Sequence, residues 1–326
     1  MRRTFLTQMA AMAATLAAPK AFAQAAKFPD HPIRVMVGFA PGGSVDPIIR
    51  LMQPKLGELL GQPWVIENRP GGSTSIACSA VKQAPADGYT LLFTAGSGHA
   101  VHTIDQPQYS YDPLKDFVPI ASASRAGWAF AVTNSLPVKT LAEYVAYCKA
   151  NPNKISFGSS GVGLINHLAM ERFNMAAGIK CVHVPYKSSG STITDLVSGR
   201  IQAYFTAASS LQPLINAGQL RAIAYTAVGT GEVAPAQMFA SIGLPDLDQI
   251  DSLNVLLGPA GMPASAQAIL TAACEKVLAM PDVQAGIKAQ QQVAFFENSA
   301  KTMERLKGYK EQYTQVIRAA NIKMGS

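Results

Sequence analysis

A strand that runs into paired glycines and then turns into a helix constrains this chain more than any other feature. Residues 33–39 form an apolar run that enters Pro41-Gly42-Gly43-Ser44, and Asp46-Pro47 follows as a helix start. Glycine reaches backbone angles closed to other residues, so Gly42 and Gly43 can turn successive N–H groups inward as a nest for negative charge. Asp46 before Pro47 reads as an N-cap with proline at the first helical position, and Ile48, Met52, Leu56 and Leu59 recur at helical spacing. With the Asp46 carboxylate engaged on its own helix, the amides of Gly42, Gly43 and Ser44 stay available to an anion. A tight strand-to-helix turn with no ligand is the competing reading of one Pro-Gly-Gly.

The unit repeats. Residues 64–67 read as a strand, Asn68-Arg69-Pro70-Gly71-Gly72-Ser73 as its loop and 75–84 as a helix; after Pro85-Ala86-Asp87-Gly88, a third strand at 89–94 ends in the loop Ala95-Gly96-Ser97-Gly98-His99. Alternating strands and helices predict a parallel sheet covered on both faces, with ligands bound beyond the carboxyl ends of its strands. The three loops then share one edge. Residues 118–123 and 128–132 read as two extended runs with a hinge near Arg125. A second α/β series follows: strand 155–158, loop Ser159-Ser160-Gly161-Val162-Gly163, helix 164–175, strand 181–184, helix 191–198, strand 201–205, helix 211–217 and strand 221–226. A last strand at 253–257 precedes a mostly helical tail, 266–280 and 301–318, expected to pack back on the first lobe.

With 326 residues, 48% hydrophobic and only 14% charged, the chain can bury a large core, which excludes a disordered protein and favours two lobes. Its opening, Met1-Arg2-Arg3-Thr4-Phe5-Leu6, an apolar run at 9–18 and Ala21-Phe22-Ala23, reads as a cleaved secretory signal over residues 1–23. The arginine pair also resembles a twin-arginine signal, with the general secretory route as the default. Removing that segment takes away Arg2, Arg3 and Lys20 and no acid, so a net charge of +7 becomes +4. No basic cluster points to nucleic acid, and no later stretch is apolar enough for a membrane span, so a soluble protein of the periplasm is expected. Cys78, Cys148, Cys181 and Cys274 form no C-x-x-C, and mostly buried free thiols are expected.

Several segments, in order across nearly all of the mature chain, resemble one family: the periplasmic substrate-binding proteins of tripartite tricarboxylate transporters, or Bug receptors. They are Phe39-Ala40-Pro41-Gly42-Gly43-Ser44-Val45-Asp46, Glu67-Asn68-Arg69-Pro70-Gly71-Gly72, Pro85-Ala86-Asp87-Gly88-Tyr89-Thr90-Leu91-Leu92, Tyr111-Asp112-Pro113-Leu114-Lys115-Asp116-Phe117, Gly158-Ser159-Ser160-Gly161 with Asn166-His167-Leu168, Val184-Pro185-Tyr186-Lys187 and Gly258-Pro259-Ala260-Gly261. The resemblance implies an α/β, two-lobed type II periplasmic binding protein fold with its ligand cleft between the lobes, residues 24–124 with 254–326 forming one lobe and 125–253 the other. It also implies a monomer that closes on a small carboxylate, a di- or tricarboxylate with aromatic ones included, and delivers it to membrane permease subunits. No cofactor, metal or nucleic acid is expected.

Candidate ligand-binding residues follow from both lines. Phe39, Pro41, Gly42, Gly43, Ser44 and Asp46 form the first loop, and Ser97 and His99 the third, Ser97 as a hydroxyl donor and His99 as either a ligand contact or the partner of a loop carbonyl. Ser159, Ser160 and Gly161 open a helix in the second lobe and would hold a second carboxylate; Tyr186 would line the cleft, with Asp195 facing solvent. Thr206 stands where relatives often carry an acid, which counts against a ligand amine, and Leu253-Asn254-Val255 replaces the family's Trp-x-Gly.

Enzyme readings find little support. Gly161-Val162-Gly163 opens a helix as in a dinucleotide fold, but Asn166 stands at the third glycine and no acid ends the next strand. Neither Gly-x-Ser-x-Gly nor a phosphate loop is present, and His99 and His102 lack a third metal ligand. A receptor that reports the same ligand to a sensor protein remains the alternative to transport.

Overall fold

The computed structural model describes residues 28–106, 108–228 and 237–324; the expected leader and its cleavage site lie outside them. The first half follows the repeated unit: β1 (Ile33–Val37), α1 (Asp46–Leu60), β2 (Trp64–Asn68), α2 (Ser75–Lys82), β3 (Thr90–Ala95) and a short α3 (Gly96–Val101). β1 lies between β2 and β3, parallel to both, with Val35 opposite Ile66 and Leu91. Four of its five residues are buried, as a strand covered on both faces requires. On one face α1 buries Ile48, Ile49, Met52 and Leu56 completely, each contributing about 1.5–3 kcal/mol. The loop expected at 95–99 is helical from Gly96 onward.

β4 (Phe117–Thr133) is one strand of 17 residues rather than two extended runs. Its first part, from Phe117 to Gly127, pairs antiparallel with the late strand β9 (Asp251–Pro259), while Trp128–Val132 pairs with β7 (Ala203–Ala207). Between them the chain builds α4 (Leu141–Ala150), β5 (Ser156–Ser159), α5 (Ile165–Ala177), β6 (Val182–Pro185) and α6 (Ser189–Val197), and after β7 come α7 (Ala208–Asn216) and β8 (Leu220–Tyr225). The strand order is β2-β1-β3-β9-β4-β7-β5-β6, with β8 also pairing β4. The sheet is therefore mixed, not parallel throughout as the alternation predicts, because β4, β8 and β9 run against their neighbours. Arg125 lies within β4 because the buried Asp251 carboxylate on β9 pairs with its guanidinium, so a charge sits in a strand without facing an apolar core alone.

Two main apolar clusters flank that crossing. One joins Val35, Ile48, Phe93, Leu256, Leu270 and Ile287; the other joins Trp128, Phe130, Tyr144, Phe157, Phe173 and Phe239. In the second, Phe130 meets Tyr144 edge-on at 5.0 Å and Phe173 at 5.3 Å.

The tail forms α8 (Ala264–Leu278), α9 (Pro281–Ala289), the short β10 (Val293–Ala294) beside β4, and α10 (Ser299–Ala319). It does not pack on the first lobe alone. Tyr313, Val316 and Ile317 of α10 share a cluster with Val101 and Ile104 after β3 and with Leu168 of α5, and Tyr309 donates to Asp251 Oδ1 at 2.5 Å. No helix among the described residues is long and apolar enough to cross a membrane.

Candidate functional site

A cavity of about 230 Å³ opens where the strand ends of both halves meet. Phe39, Thr74, Ala95, Ser97, Gly98, His99, Val101 and His102 line it from the first half, Ser160, Gly163, Leu164 and Ile165 from the second, and Ser252 from the start of β9. Three loops after parallel strands and one after β5 thus converge, as the sheet rule expects. The lining holds no lysine, arginine, aspartate or glutamate. Its two histidines are neutral at ordinary pH, because burial pushes His99 and His102 each down to about 4.

The first loop is held from behind. Asp46 is not the N-cap: α1 is capped by Val45 without a side-chain bond, and Asp46 occupies the first turn. Its buried carboxylate instead accepts the Gly42 N–H at 3.2 Å, Asn68 Nδ2 at 2.8 Å and Arg50 Nε at 2.9 Å. Burial alone would raise this acid, but the Arg50, Asn68 and Gly42 hydrogen bonds hold it below the usual carboxylate range. The Gly42 amide is therefore engaged, contrary to expectation, because the loop reverses at Gly42 (φ +79°) and brings its N–H back over the helix start. The amides of Gly43 and Ser44 have no partner among the described residues. Asn68 also donates to the Phe39 carbonyl at 3.0 Å, tying the second loop to the first. The two loops approach so closely that a Cβ on Gly38 would meet the Thr74 Cβ at 2.7 Å.

A second support reaches the loop from the crossing strands. Gln292 is buried; its Nε2 donates to the Ser44 carbonyl at 2.7 Å, while its Oε1 accepts Ser124 Oγ at 2.8 Å and Asn254 Nδ2 at 3.0 Å. Asn254, where the family's Trp-x-Gly would fall, thus belongs to a polar network and not to the cavity wall.

The loop after β5 is self-satisfied. Ser160 N–H donates to Asn166 Oδ1 at 3.3 Å, Gly161 N–H to Ser159 Oγ at 3.2 Å and Gly163 N–H to His167 Nδ1 at 3.0 Å. The Ser160 and Gly161 amides expected for a second carboxylate are occupied by neighbouring side chains, Asn166 folding back from the first turn of α5 onto Ser160 and Ser159 accepting from Gly161. The Ser159 hydroxyl is taken by the Gly161 carbonyl and His183 Nε2, the latter at 2.6 Å. What the second half offers is the Ser160 hydroxyl, which accepts from Asn166 at 2.7 Å and keeps its own proton, and α5, which starts at Ile165 with no side-chain cap. Its first N–H groups are therefore unsatisfied by the helix itself.

Of the other sequence candidates, Ser97 is buried at the cavity and its hydroxyl has no hydrogen-bond partner among the described residues. His99 has both ring nitrogens engaged, Nε2 on the Pro113 carbonyl at 3.2 Å and Nδ1 beside Cys78 Sγ at 3.6 Å, so its loop-carbonyl role is the one observed. Pro41, Gly42, Gly43 and Ser44 are exposed beside the cavity, not in its lining. Ser159, Gly161, Tyr186 and Thr206 are also absent from that lining; Tyr186 donates to Asp195 Oδ2 at 2.8 Å, which takes Asp195 out of its expected solvent-facing role. Thr206 is buried within β7 opposite Ala129. Sequence reasoning does not assign Thr74, His102, Leu164, Ile165 or Ser252 to the cavity; the first four follow β2, β3 and β5, and Ser252 enters through β9, which crosses beside β4. Ser252 accepts the Trp128 indole N–H at 2.9 Å and keeps a proton to donate.

Comparison with known proteins agrees with this architecture. The model for the tripartite tricarboxylate transporter family receptor matches residues 48–322. Protein BugT of Bordetella pertussis is 33% identical over 221 residues, covering 67% of this chain and 68% of that protein. A solved structure of a periplasmic transporter superposes with a TM-score of 0.77 at 36% identity, covering 91% of this chain and 99% of the other. Rpa4515 of R. palustris, solved with adipate, gives a TM-score of 0.78 at 28% identity over 90% of this chain and 99% of that one. These neighbours are binding proteins and transporter receptors, and their two-lobed α/β fold is the fold of this chain. The chain belongs to the tripartite tricarboxylate transporter receptor family, the Bug group of periplasmic solute-binding proteins.

Proposed function

We propose that this protein captures a small carboxylate in the periplasm, between a lobe of residues 24–124 with 254–326 and a lobe of residues 125–253, and delivers it to transporter permease subunits. The observation that carries the reading is the cavity lining, which offers hydroxyl donors and helix amides but no charged side chain. An anion is held there by oriented N–H and O–H groups, whereas an ammonium finds no acid to pair with. One carboxylate sits toward Ser97 and the free Gly43 and Ser44 amides; the far end of a dicarboxylate reaches the Ser160 hydroxyl and the start of α5. Phe39 and Val101 suit an aliphatic or aromatic body between them, and the adipate held by Rpa4515 is a dicarboxylate with such a body. Closure of the lobes excludes water and strengthens those hydrogen bonds.

A thermal-shift screen of the purified mature protein against aliphatic dicarboxylates, tricarboxylates, aromatic acids and acidic amino acids tests the ligand class. A ligand at a hundred times its dissociation constant adds about 2.7 kcal/mol, or several degrees in Tm. No shift from any acid, with the protein folded and free of co-purified ligand, rejects the carboxylate reading. Deleting the protein and measuring uptake of the hit compound tests delivery; unchanged uptake would favour the sensing alternative.

A further inference from the structure

Two of the four cysteines meet in the second lobe. Cys148 lies near the end of α4 and is fully buried; Cys181 immediately precedes β6 and is half-buried; their sulfurs are 3.7 Å apart. Cys78 and Cys274 are buried elsewhere, Cys78 beside His99. A disulfide needs about 2.05 Å between sulfurs, so the pair must close by about 1.7 Å to bond. Receptors of this family work in the periplasm, a compartment where disulfides form and persist. We propose that Cys148 and Cys181 form a disulfide in the mature protein, linking α4 to β6 at the edge of the sheet.

The chemistry is thiol–disulfide exchange with a donor disulfide, either a small one such as glutathione disulfide or that of a periplasmic dithiol oxidase. Cys181 is the attacking group. It is the more accessible of the two, and its hydrogen bonds with Cys148 and with the Tyr144 hydroxyl, 3.6 Å away, hold it below the ordinary thiol range despite burial. Its thiolate attacks one sulfur of the donor and expels the other as a thiol. Cys148, on losing its proton, then attacks Cys181 Sγ and expels the second donor thiol. Two electrons and two protons pass from the cysteine pair to the donor, which leaves as two thiols.

The bond would close a loop over residues 149–180, which contains β5, the Ser159–Gly163 turn and all of α5. The segment that lines the cavity from the second lobe, Ser160 to Ile165, would therefore be anchored at both ends of that covalent loop. The chain on either side is held differently: β6 is the last strand of the sheet and pairs on one side only, with β5.

The test uses the intact purified protein incubated with glutathione disulfide, quenched with acid, denatured, alkylated with iodoacetamide and digested with trypsin. Cleavage after Lys139, Lys149, Lys180 and Lys187 isolates peptides 140–149 and 181–187, each with one cysteine. The expected product is these two peptides joined and separable by reductant, with Cys78 and Cys274 alkylated. Recovery of both peptides alkylated, or of a stable glutathione adduct on Cys181 without cross-linking, overturns the proposal. In a second measurement the oxidised protein melts about 5 °C or more above its reduced form, as expected for a loop of this length. That difference vanishes in the Cys148→Ser, Cys181→Ser double variant; an equal difference in the variant assigns the effect to another pair.

Discussion

The loop after β1 and the loop after β5 look alike in sequence: each leaves a strand, passes through glycine and serine, and opens a helix. In the structure they differ in what satisfies their amides. In the first, the acid at the helix start takes one N–H, that of Gly42, and is itself restrained by Asn68 and Arg50, so Gly43 and Ser44 remain available. In the second, Ser159, Asn166 and His167 between them accept from Gly161, Ser160 and Gly163. An anion cradle is thus decided less by its glycines than by whether nearby side chains already occupy it. The polar residues at positions 166 and 167 close the second loop on itself and leave the Ser160 hydroxyl and the start of α5 as its open donors.

The sharpest way to break this contrast is to remove the support of the open loop. Asp46→Ala abolishes three hydrogen-bonded contacts of a buried carboxylate and should lower unfolding stability by about 3 kcal/mol. A urea midpoint close to that of the parent would mean that Asp46 does not hold the loop. Next in size is Gly43→Pro, which deletes a free donor and distorts the turn. With the ligand found by the screen, its dissociation constant should rise about 10- to 100-fold, or about 1.4–2.8 kcal/mol, measured by calorimetry. Asn166→Ala in the closed loop should cost about 1–2 kcal/mol of stability, because it strands the Ser160 N–H and leaves the Tyr204 hydroxyl with Ser189 alone, yet shift affinity less than Gly43→Pro does. The opposite ranking in affinity would make the second loop the principal anion site.

The smallest expected effect comes from two histidines, His99 at the cavity and His183 behind the loop after β5. Burial lowers His99 to about 4 in the first lobe, and burial with the neighbouring His167 lowers His183 to about 3 in the second. Both titrate near 6.5 when unfolded, so the unfolded chain binds more protons as pH falls below that value. Their contribution is complete above pH 6.5 and is lost progressively as pH drops toward 4 and 3. At pH 5.5 each should cost about 1 kcal/mol relative to pH 7.5. His99→Gln and His183→Gln should each flatten the measured slope between those values; an unchanged slope in both would show that other groups carry it.

Much of this architecture could be read before any coordinates. Ile48, Met52 and Leu56 gave α1 its period, and paired glycines marked the strand-to-helix turns, because those signals are local. α4 was equally local and yet unassigned: Thr140 accepts the Glu143 N–H at 3.1 Å, a Ser/Thr-x-x-Glu start visible in the sequence. The features misread are those set by distant partners. β4 reads as two runs because nothing nearby in sequence announces the Asp251 partner of Arg125, 126 residues away. Asp46 suggested an N-cap because Asn68 and Arg50, which draw its carboxylate elsewhere, come from a different strand and from a helix turn later. The cavity was legible only in part: Phe39, Ser97 and Ser160 follow from the loops, whereas Ser252 and Ile165 enter through the crossing of strands and the packing of α5.

Helix α10 gives the lobes a third connection, beside the two strand crossings. Its residues Tyr313, Val316 and Ile317 touch Val101 on one side and Leu168 on the other, so separating the lobes would shear an apolar contact as well as bend two strands. If the lobes of such a receptor part and close, this apolar contact is one of the terms that sets the balance between the two arrangements. The affinity measured for a ligand then includes the fraction of molecules already competent to bind it, and loosening this one helix would change apparent affinity without touching a single ligand contact. Residues far from anything a ligand meets would thereby set how readily it leaves.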